Sequence, residues 1–132
     1  MTTRLSTLLK TMSLHATGPQ DDPVLTAITP DSRAVNPGTL FVALPGTKVD
    51  GRACIPAAVQ NGAAAVLAPT GTVWPADVPA CPLVLTDTPR HMLAVLATAL
   101  AGRQPECLVA ITGTNGKTST TDFLRQIWAL QG

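Results

Sequence analysis

Charged residues are scarce in this sequence, which has 132 residues and a formal net charge of only +1. Lysine, arginine, aspartate and glutamate together make up 13% of it. Nucleic acids and anionic lipid surfaces are bound by clustered basic residues, and this sequence has no such run. The composition therefore argues against nucleic acid and against a membrane surface as partners.

Paired cysteines and long apolar runs are also missing. Cys54, Cys81 and Cys107 are widely spaced and form no C-x-x-C pair, which disfavours a disulfide framework or a cysteine metal site. No apolar run reaches the roughly 18 residues of a membrane span, and no basic segment leads into an apolar stretch. With 45% apolar residues, the sequence predicts a soluble, cytoplasmic protein with a buried core.

Short apolar runs alternate with helical repeats along the chain, a pattern that predicts an α/β fold with a substantially parallel sheet. The predicted strands are Val24–Thr29, Leu40–Leu44, Ala65–Ala68 and Leu83–Thr86. The predicted helices lie at residues 3–11, at residues 55–60 and from Pro89 onward. Thr88 is expected to cap the last of these helices.

The most specific motif lies near the end of the sequence. Leu108–Ile111 is a β-branched, apolar run that predicts a buried parallel strand, and Lys117 opens a helical pattern. Between them, Gly113 and Gly116 precede Lys117 and Thr118. This order of strand, loop and helix is typical of a phosphate-binding loop.

The residue types of this loop suit a nucleoside triphosphate. Glycines let successive N–H groups turn toward an anion, and the following helix adds the positive end of its dipole. Lys117 is expected to reach the β- and γ-phosphates, and the Thr118 hydroxyl to bind Mg²⁺. The strict motif has a further glycine where this chain has Ile111. A simple glycine-rich turn is therefore the alternative.

The linker-like segment that ends at Pro105 divides the chain near Gln104. Residues 1–104 are predicted to form one small α/β domain, and residues 105–132 the first strand, loop and helix of a second. The second is incomplete because a parallel strand needs neighbours on its edges. We therefore expect a fragment of a longer protein, or a segment whose partner surface another molecule supplies. The apolar stripe on its helix should pack onto the first domain or drive self-association.

Several segments resemble one known family when they are taken together. In chain order, the segments are Asp31–Arg33, Pro37–Leu44, Gly46–Gly51, Ile55–Ala63 and Ile111–Thr121. They are similar to the amino-terminal domain and the start of the central domain of the Mur ligases. The resemblance implies an ATP-dependent ligase of peptidoglycan-precursor synthesis. Within the family, the best match is the ligase that adds the third stem-peptide residue, diaminopimelate or lysine, to UDP-MurNAc-L-Ala-D-Glu.

The resemblance also implies which residues bind which substrate. In the family, ATP phosphorylates the terminal carboxylate of the UDP-linked substrate, and the amine of an amino acid then displaces the phosphate. The UDP contacts implied for this chain are Ser32, Pro30, Thr47, Lys48 and Val49. The implied ATP contacts are Gly113, Thr114, Asn115, Gly116, Lys117, Thr118 and Ser119, with Mg²⁺ on Thr118. The rest of the catalytic machinery would lie beyond Gly132, so we expect no ligase activity from this chain alone.

Alternatives stay open for the site and for the whole chain. Without the resemblance, Asp31-Ser32-Arg33 is more typical of a simple turn, in which Asp31 and Ser32 bind backbone groups and Arg33 pairs locally. The chain also fits a fragment of the sister ligase that adds the terminal dipeptide. A third interpretation is a non-catalytic module that binds the UDP nucleotide only.

Overall fold

The computed structural model describes residues 2–102, 105–106, 109–113 and 115–130. Its helices are α1 (Leu5–Met12), α2 (Ile55–Gln60), α3 (Pro89–Ala101) and α4 (Lys117–Leu130). Its strands are β1 (Thr3–Arg4), β2 (Ala16–Thr17), β3 (Val24–Leu25), β4 (Ala27–Thr29), β5 (Thr39–Val42), β6 (Ala65–Pro69) and β7 (Leu83–Thr86). The chain divides into two compact units, unit 1 (Met1–Gly102) and unit 2 (Arg103–Gly132).

Unit 1 is built on a five-stranded sheet with the strand order β2-β7-β6-β5-β4. The strands β4, β5, β6 and β7 run parallel, and β2 pairs with β7 in the antiparallel sense. The register places Phe41 of β5 between Thr29 of β4 and Val66 of β6. A separate two-stranded sheet joins β1 to β3. The architecture confirms the predicted α/β class with a mostly parallel sheet.

Alternate residues of the interior strand β5, together with Ala43 directly after it, enter apolar clusters on opposite faces of the sheet. Leu40 and Val42 pack on one face with apolar residues of α1 and α3. Phe41 and Ala43 pack on the other face with α2. Because helices cover both faces, every residue of β5 is buried, as its continuous apolar sequence predicted. The helices and the sheet thus form three layers.

Several local features of unit 1 differ from the predicted elements. Thr3 and Arg4, predicted as the start of a helix, form β1, and α1 begins at Leu5. The predicted strand Val24–Thr29 is divided at Thr26, so that β3 pairs with β1 while β4 joins the five-stranded sheet. The N–H of Thr26 donates instead to the Gly38 carbonyl at 2.9 Å. Thr88 takes the N-cap position of α3, as predicted, but its side chain makes no capping hydrogen bond. The Thr88 N–H donates to Thr86 Oγ1 at 3.2 Å.

Unit 2 contains α4 and the segment before it. The helix predicted after the loop is present, but the strand predicted at Leu108–Ile111 is not formed over Val109–Ile111, and Leu108 lies outside the described residues. A buried strand needs hydrogen-bonded neighbours, and no other strand occurs in the part of unit 2 that the structure describes. Val109 is accordingly 50% exposed.

The structure gives the lengths of the described helices and the state of two of the three cysteines. Across the described ranges, no helix has both the length and the apolar character needed to cross a bilayer. Cys54 and Cys81 are free, half-buried thiols, and Cys107 lies outside the described residues. Burial raises the pKa of the Cys81 thiol to about 11, so this thiol is protonated near neutral pH. The described residues contain no group of three or more His, Cys, Asp and Glu side chains able to hold a metal ion.

Candidate functional site

The carboxyl ends of β4, β5, β6 and β7 lie at one edge of the five-stranded sheet, here called the carboxyl edge. The chain leaves β4 into Pro30 and Ser32, and it leaves the adjacent strand β5 toward Thr47, Lys48 and Val49. Ligands of open α/β sheets bind in the crevice outside this edge. The topology therefore puts the five predicted UDP contacts at one edge, on loops from two neighbouring strands.

The loop after β4 is a tight turn organised by Asp31. Its carboxylate accepts hydrogen bonds from the Arg33 N–H at 2.9 Å, from Arg33 Nε at 3.0 Å and from Arg33 Nη2 at 2.9 Å. The Arg33 guanidinium holds the pKa of Asp31 below its usual value, and Asp31 raises the pKa of Arg33. The local pairing of Arg33 is the one that the turn alternative predicted.

Ser32 begins the 3-10 turn Ser32–Ala34 and is half-buried, while Pro30 is exposed. Among the described residues, the Ser32 hydroxyl has no hydrogen-bond partner, whereas the Ser32 carbonyl accepts from Asn61 Nδ2 at 2.9 Å. Asn61 follows directly after α2, and α2 packs against this turn. The turn thus has its backbone anchored to α2 and leaves the Ser32 hydroxyl available to a ligand.

The loop after β5 returns on itself between Leu44 and Gly51. The Gly51 N–H donates to the Leu44 carbonyl at 2.8 Å and closes the loop. A Cβ on Gly51 would lie 2.5 Å from the Leu44 nitrogen, so only glycine allows this approach. The predicted contacts on this loop, Thr47, Lys48 and Val49, are all exposed, and Val49 is 65% exposed.

At the end of this loop, Asp50 binds the arginine two residues further on, as Asp31 does in the loop after β4. Its carboxylate accepts from the Arg52 N–H at 3.0 Å and from Arg52 Nε at 2.9 Å, and it begins the 3-10 turn Gly51–Cys54. Hydrogen bonds from Arg52 lower the pKa of Asp50, and Asp50 raises the pKa of Arg52. Asp50 therefore supports a turn and is occupied by Arg52.

Arg90, in the first turn of α3, reaches the same loop from the other side. Its Nη2 donates to the Pro45 carbonyl at 3.2 Å. Within the described ranges, Arg90 pairs with no carboxylate, in contrast to Arg33 and Arg52. Sequence reasoning found neither Arg90 nor Asn61, because each acts on a residue far away along the chain. The repeated Asp-x-Arg spacing, by contrast, was visible in the sequence.

The candidate phosphate loop in unit 2 has the backbone angles that its glycines permit. Gly113 has a φ of +150° and Gly116 a φ of +76°, conformations that disfavour any residue with a side chain. The Thr120 N–H donates to the Gly116 carbonyl at 2.9 Å and makes the first bond of α4. The N–H groups of Lys117, Thr118 and Ser119 consequently have no acceptor within the helix.

The described residues of this loop are open to solvent. Gly113, Asn115, Gly116, Lys117, Thr118 and Ser119 are all exposed, and Thr114 lies outside the described residues. An exposed lysine, two hydroxyls and the positive end of a helix form a surface that can bind a phosphate chain. The acidic residue of α4, Asp122, is 3.6 Å from the Arg125 guanidinium and is positioned as a surface ion pair.

Two cavities among the described residues of unit 1 are lined by none of the predicted site residues. A cavity of about 560 Å³ lies between α1 and the segment that follows it, and its lining includes Lys10, His15 and Asp21. A smaller cavity of about 310 Å³ lies beside Trp74 and Cys81. The predicted UDP contacts and the described ATP contacts lie on loops and at the start of α4, outside these two cavities.

Comparison with known proteins shows which family this chain is related to. The model described as "Mur ligase family, catalytic domain" matches residues 24–110. The UDP-N-acetylmuramoyl-L-alanyl-D-glutamate–2,6-diaminopimelate ligase of Rhizobium meliloti is 54% identical over 105 residues, 80% of this chain and 21% of the relative. The ligase of the same name from Caulobacter vibrioides is 50% identical over 111 residues, 84% of this chain and 22% of the relative.

A solved structure supports the same relationship. The MurF ligase of Thermotoga maritima in complex with ADP superposes with a TM-score of 0.57 and 33% identity, over 74% of this chain and 22% of that one. The chain thus spans about a fifth of the length of the relatives that it matches. The family match extends over more than half of the chain, from β3 to the segment before the phosphate loop. This chain belongs to the Mur ligase family.

Proposed function

We propose that the protein carrying this chain is a MurE-type ligase, which joins an amino acid to UDP-MurNAc-L-Ala-D-Glu at the cost of ATP. The observation that carries the proposal is the 54% identity, over 80% of the chain, to a relative named as the diaminopimelate-adding ligase. The names of the relatives favour diaminopimelate as the incoming amino acid. We assign the reaction to the cytoplasm, where ATP is available.

In this proposal, unit 1 binds the UDP end of the substrate at the carboxyl edge. The Ser32 hydroxyl, which has no protein partner among the described residues, would donate to or accept from the nucleotide. Thr47 and Lys48 add a hydroxyl and a positive charge that suit a diphosphate. Pro30 and Val49 flank these polar groups at exposed positions and offer apolar contact.

Unit 2 contributes the loop that holds the phosphates of ATP. The exposed N–H groups at the start of α4, together with the Lys117 ammonium, would neutralise the charge on the β- and γ-phosphates. The ADP in the Thermotoga maritima relative supports nucleotide binding by this family. Gly113, Asn115, Gly116 and Ser119 complete the described part of the loop.

Thr118 fits a role as one ligand of Mg²⁺, because its hydroxyl is a hard oxygen at the exposed start of α4. Mg²⁺ takes six oxygen ligands, and the described residues contain no group of three or more His, Cys, Asp and Glu side chains that could hold it. Phosphate oxygens, water and residues outside this chain would have to complete the shell. When bound, the ion would neutralise charge on the transferred phosphoryl group.

The proposed reaction proceeds through an acyl phosphate. An oxygen of the substrate's terminal carboxylate attacks the γ-phosphorus, and ADP leaves. The amine of the amino acid then attacks the acyl carbon, phosphate leaves with the C–O electron pair, and the amine proton is lost. In this proposal, the part played by this chain is to position the two nucleotides.

A second candidate is a MurF-type ligase, which the structural similarity to the Thermotoga maritima enzyme favours. The identity to that enzyme is 33%, well below the 54% found for the diaminopimelate ligase. A non-catalytic UDP-binding module is a third possibility. ADP release that requires both UDP-MurNAc-L-Ala-D-Glu and diaminopimelate would support the MurE-type reaction against both alternatives.

The proposal is tested with Lys117→Ala and Thr118→Ala in the complete ligase, with Gln126→Ala as the control on the exposed surface of α4. We expect each site variant to lose at least about 100-fold in kcat, because phosphate charge is no longer neutralised. The Kd for UDP-MurNAc-dipeptide, measured by calorimetry, should stay within about twofold. Equal loss of turnover and of UDP-substrate binding would contradict the assignment of the two roles to two units.

A further inference from the structure

We propose that Asn61 and Arg90 are positioning residues for the UDP-linked substrate. The inference rests on the proposed function and names two residues outside the contacts already assigned. Neither side chain is assigned a contact with the substrate. Each would act through the backbone of the loop that it holds.

The two side chains share one arrangement, in which a donor from a helix end reaches a main-chain carbonyl of a carboxyl-edge loop. Asn61 Nδ2 donates to the Ser32 carbonyl at 2.9 Å, across 29 positions of sequence. Arg90 Nη2 donates to the Pro45 carbonyl at 3.2 Å, across 45 positions. The first carbonyl belongs to a predicted contact residue, and the second lies two residues before Thr47.

The helices that carry the donors are firmly attached to the core. The α2 helix buries Ile55 and Ala58 against one face of the sheet. The α3 helix buries Leu96 against the other face. The two donors therefore tie the two loops to helices on opposite faces of the sheet of unit 1. A loop that is held in place before binding loses less conformational entropy when the ligand binds.

The other hydrogen bonds of these loops are local, so they set the shape of each loop and not its position. Asp31 bonds to Arg33, and Asp50 to Arg52, each across two residues. The guanidinium groups of Arg33 and Arg52 are occupied by these carboxylates. Arg90 differs because its partner in the described part of the chain is a carbonyl of another element. We therefore assign Arg90 the role of holding the Pro45 carbonyl in place, and not that of neutralising a neighbouring carboxylate.

The test uses the complete ligase with Asn61→Ala, Asn61→Asp and Arg90→Ala. Asn61→Asp keeps the size of the side chain but removes the N–H donor. The controls are the adjacent, exposed residues in Gln60→Ala and His91→Ala. We expect the KM for UDP-MurNAc-dipeptide to rise roughly five- to tenfold in the three test variants. In the three test variants, the KM for ATP and the thermal midpoint should stay close to the wild-type values. The two control variants should match the wild type in both KM values and in the thermal midpoint.

Arg90→Lys provides the rescue, because lysine keeps a donor and should recover part of the lost affinity. Unchanged KM values in the test variants, in a ligase that still binds UDP-MurNAc-dipeptide, would overturn the positioning role and leave the proposed function standing. An equal rise in the KM for ATP and for the UDP substrate, with a lower thermal midpoint, would overturn it in favour of a purely structural role. Failure of the wild-type ligase to bind UDP-MurNAc-dipeptide would overturn both.

Discussion

The two units of this chain contain the same kind of sequence, an apolar run followed by a loop and a helix. Over the residues that the structure describes, only unit 1 forms a buried sheet from it. In unit 1, β5 lies between β4 and β6 and all its residues are buried. In unit 2, Val109–Ile111 forms no strand and Val109 is half exposed. The comparison shows that an apolar run becomes a parallel strand only where hydrogen-bonded neighbours are present.

The helices of the two units differ in the same way. The α3 helix of unit 1 buries Leu96 and Leu100, whereas no residue of α4 is buried. Phe123, Ile127 and Leu130 of α4 are 65%, 57% and 87% exposed. These residues are spaced by three to four positions and lie on one stripe. Within its described residues, unit 2 has a helix that is formed but has nothing apolar to pack against.

The largest effect that separates the two units is expected from the only two phenylalanines of the chain, Phe41 and Phe123. Phe41 is fully buried in β5, so Phe41→Ala should lower the free energy of unfolding of unit 1 by about 3–5 kcal/mol. Phe123→Ala should change it by less than about 0.5 kcal/mol. Urea denaturation of the two variants measures both values. A loss above about 2 kcal/mol from Phe123→Ala would show that α4 is buried in solution.

A somewhat smaller effect concerns self-association through the exposed stripe of α4. Each large side chain that becomes buried contributes roughly 1.5–3 kcal/mol. Phe123→Ser or Ile127→Ser should therefore weaken any association of this chain at least about tenfold. Gln126→Ser, on an exposed position between them, is the control. Sedimentation velocity over a range of concentrations measures the change. A wild-type chain that stays monomeric at every concentration would contradict the expectation.

The smallest expected effect concerns the surface carboxylates of the carboxyl-edge loops. Hydrogen bonds from Arg33 lower the pKa of Asp31 below its ordinary value of 3.8, and Arg52 does the same for Asp50. A lowered folded-state pKa means that the stabilisation is fully present above the unfolded-state pKa and is lost as the pH falls through the folded-state pKa. Asp31→Asn should thus lower the thermal midpoint of unit 1 slightly at neutral pH.

The difference between Asp31→Asn and wild type should shrink as the pH falls below 3.8, because the unfolded-state carboxylate is protonated there first. It should vanish once the pH has also fallen below the lower pKa of the folded state, where the folded carboxylate is protonated too. Asp122→Asn in unit 2 is the matched control, since Asp122 has only a surface contact at 3.6 Å to Arg125 and such pairs contribute little. Differential scanning calorimetry at several pH values gives the comparison. If the difference in thermal midpoint between Asp31→Asn and wild type instead grows as the pH falls, the predicted direction of the pH dependence is wrong.

Much of unit 1 could be predicted because its central elements carry complete local signals. The α2 and β7 segments were predicted with their observed bounds, since Pro56 lies in the first turn of one and a buried apolar run fills the other. The strands β1 and β2 were missed because each has only two residues, which is too short to show a period. The division of Val24–Thr29 between two sheets depends on pairing partners elsewhere in the chain, which a local pattern does not contain.

The candidate site shows the same limit. The turn at Asp31-Ser32-Arg33 was predicted because its hydrogen bonds join residues two positions apart. The contacts of Asn61 and Arg90 were not, because they join elements that only the fold brings together. The phosphate-binding role of the loop remains a prediction from its glycines, lysine and threonine. The strand predicted before it depends on neighbours that the sequence pattern does not reveal.

The most direct test of the central claim is a titration of this chain with UDP, followed by the backbone amide signals in a two-dimensional ¹H–¹⁵N NMR spectrum. The account predicts that the largest shifts fall on Ser32 and on Thr47, Lys48 and Val49, and that the signals of α4 stay in place. Shifts confined to the cavity beside α1, or no shifts at saturating UDP, would contradict the claim that the carboxyl edge of unit 1 holds the nucleotide of the substrate.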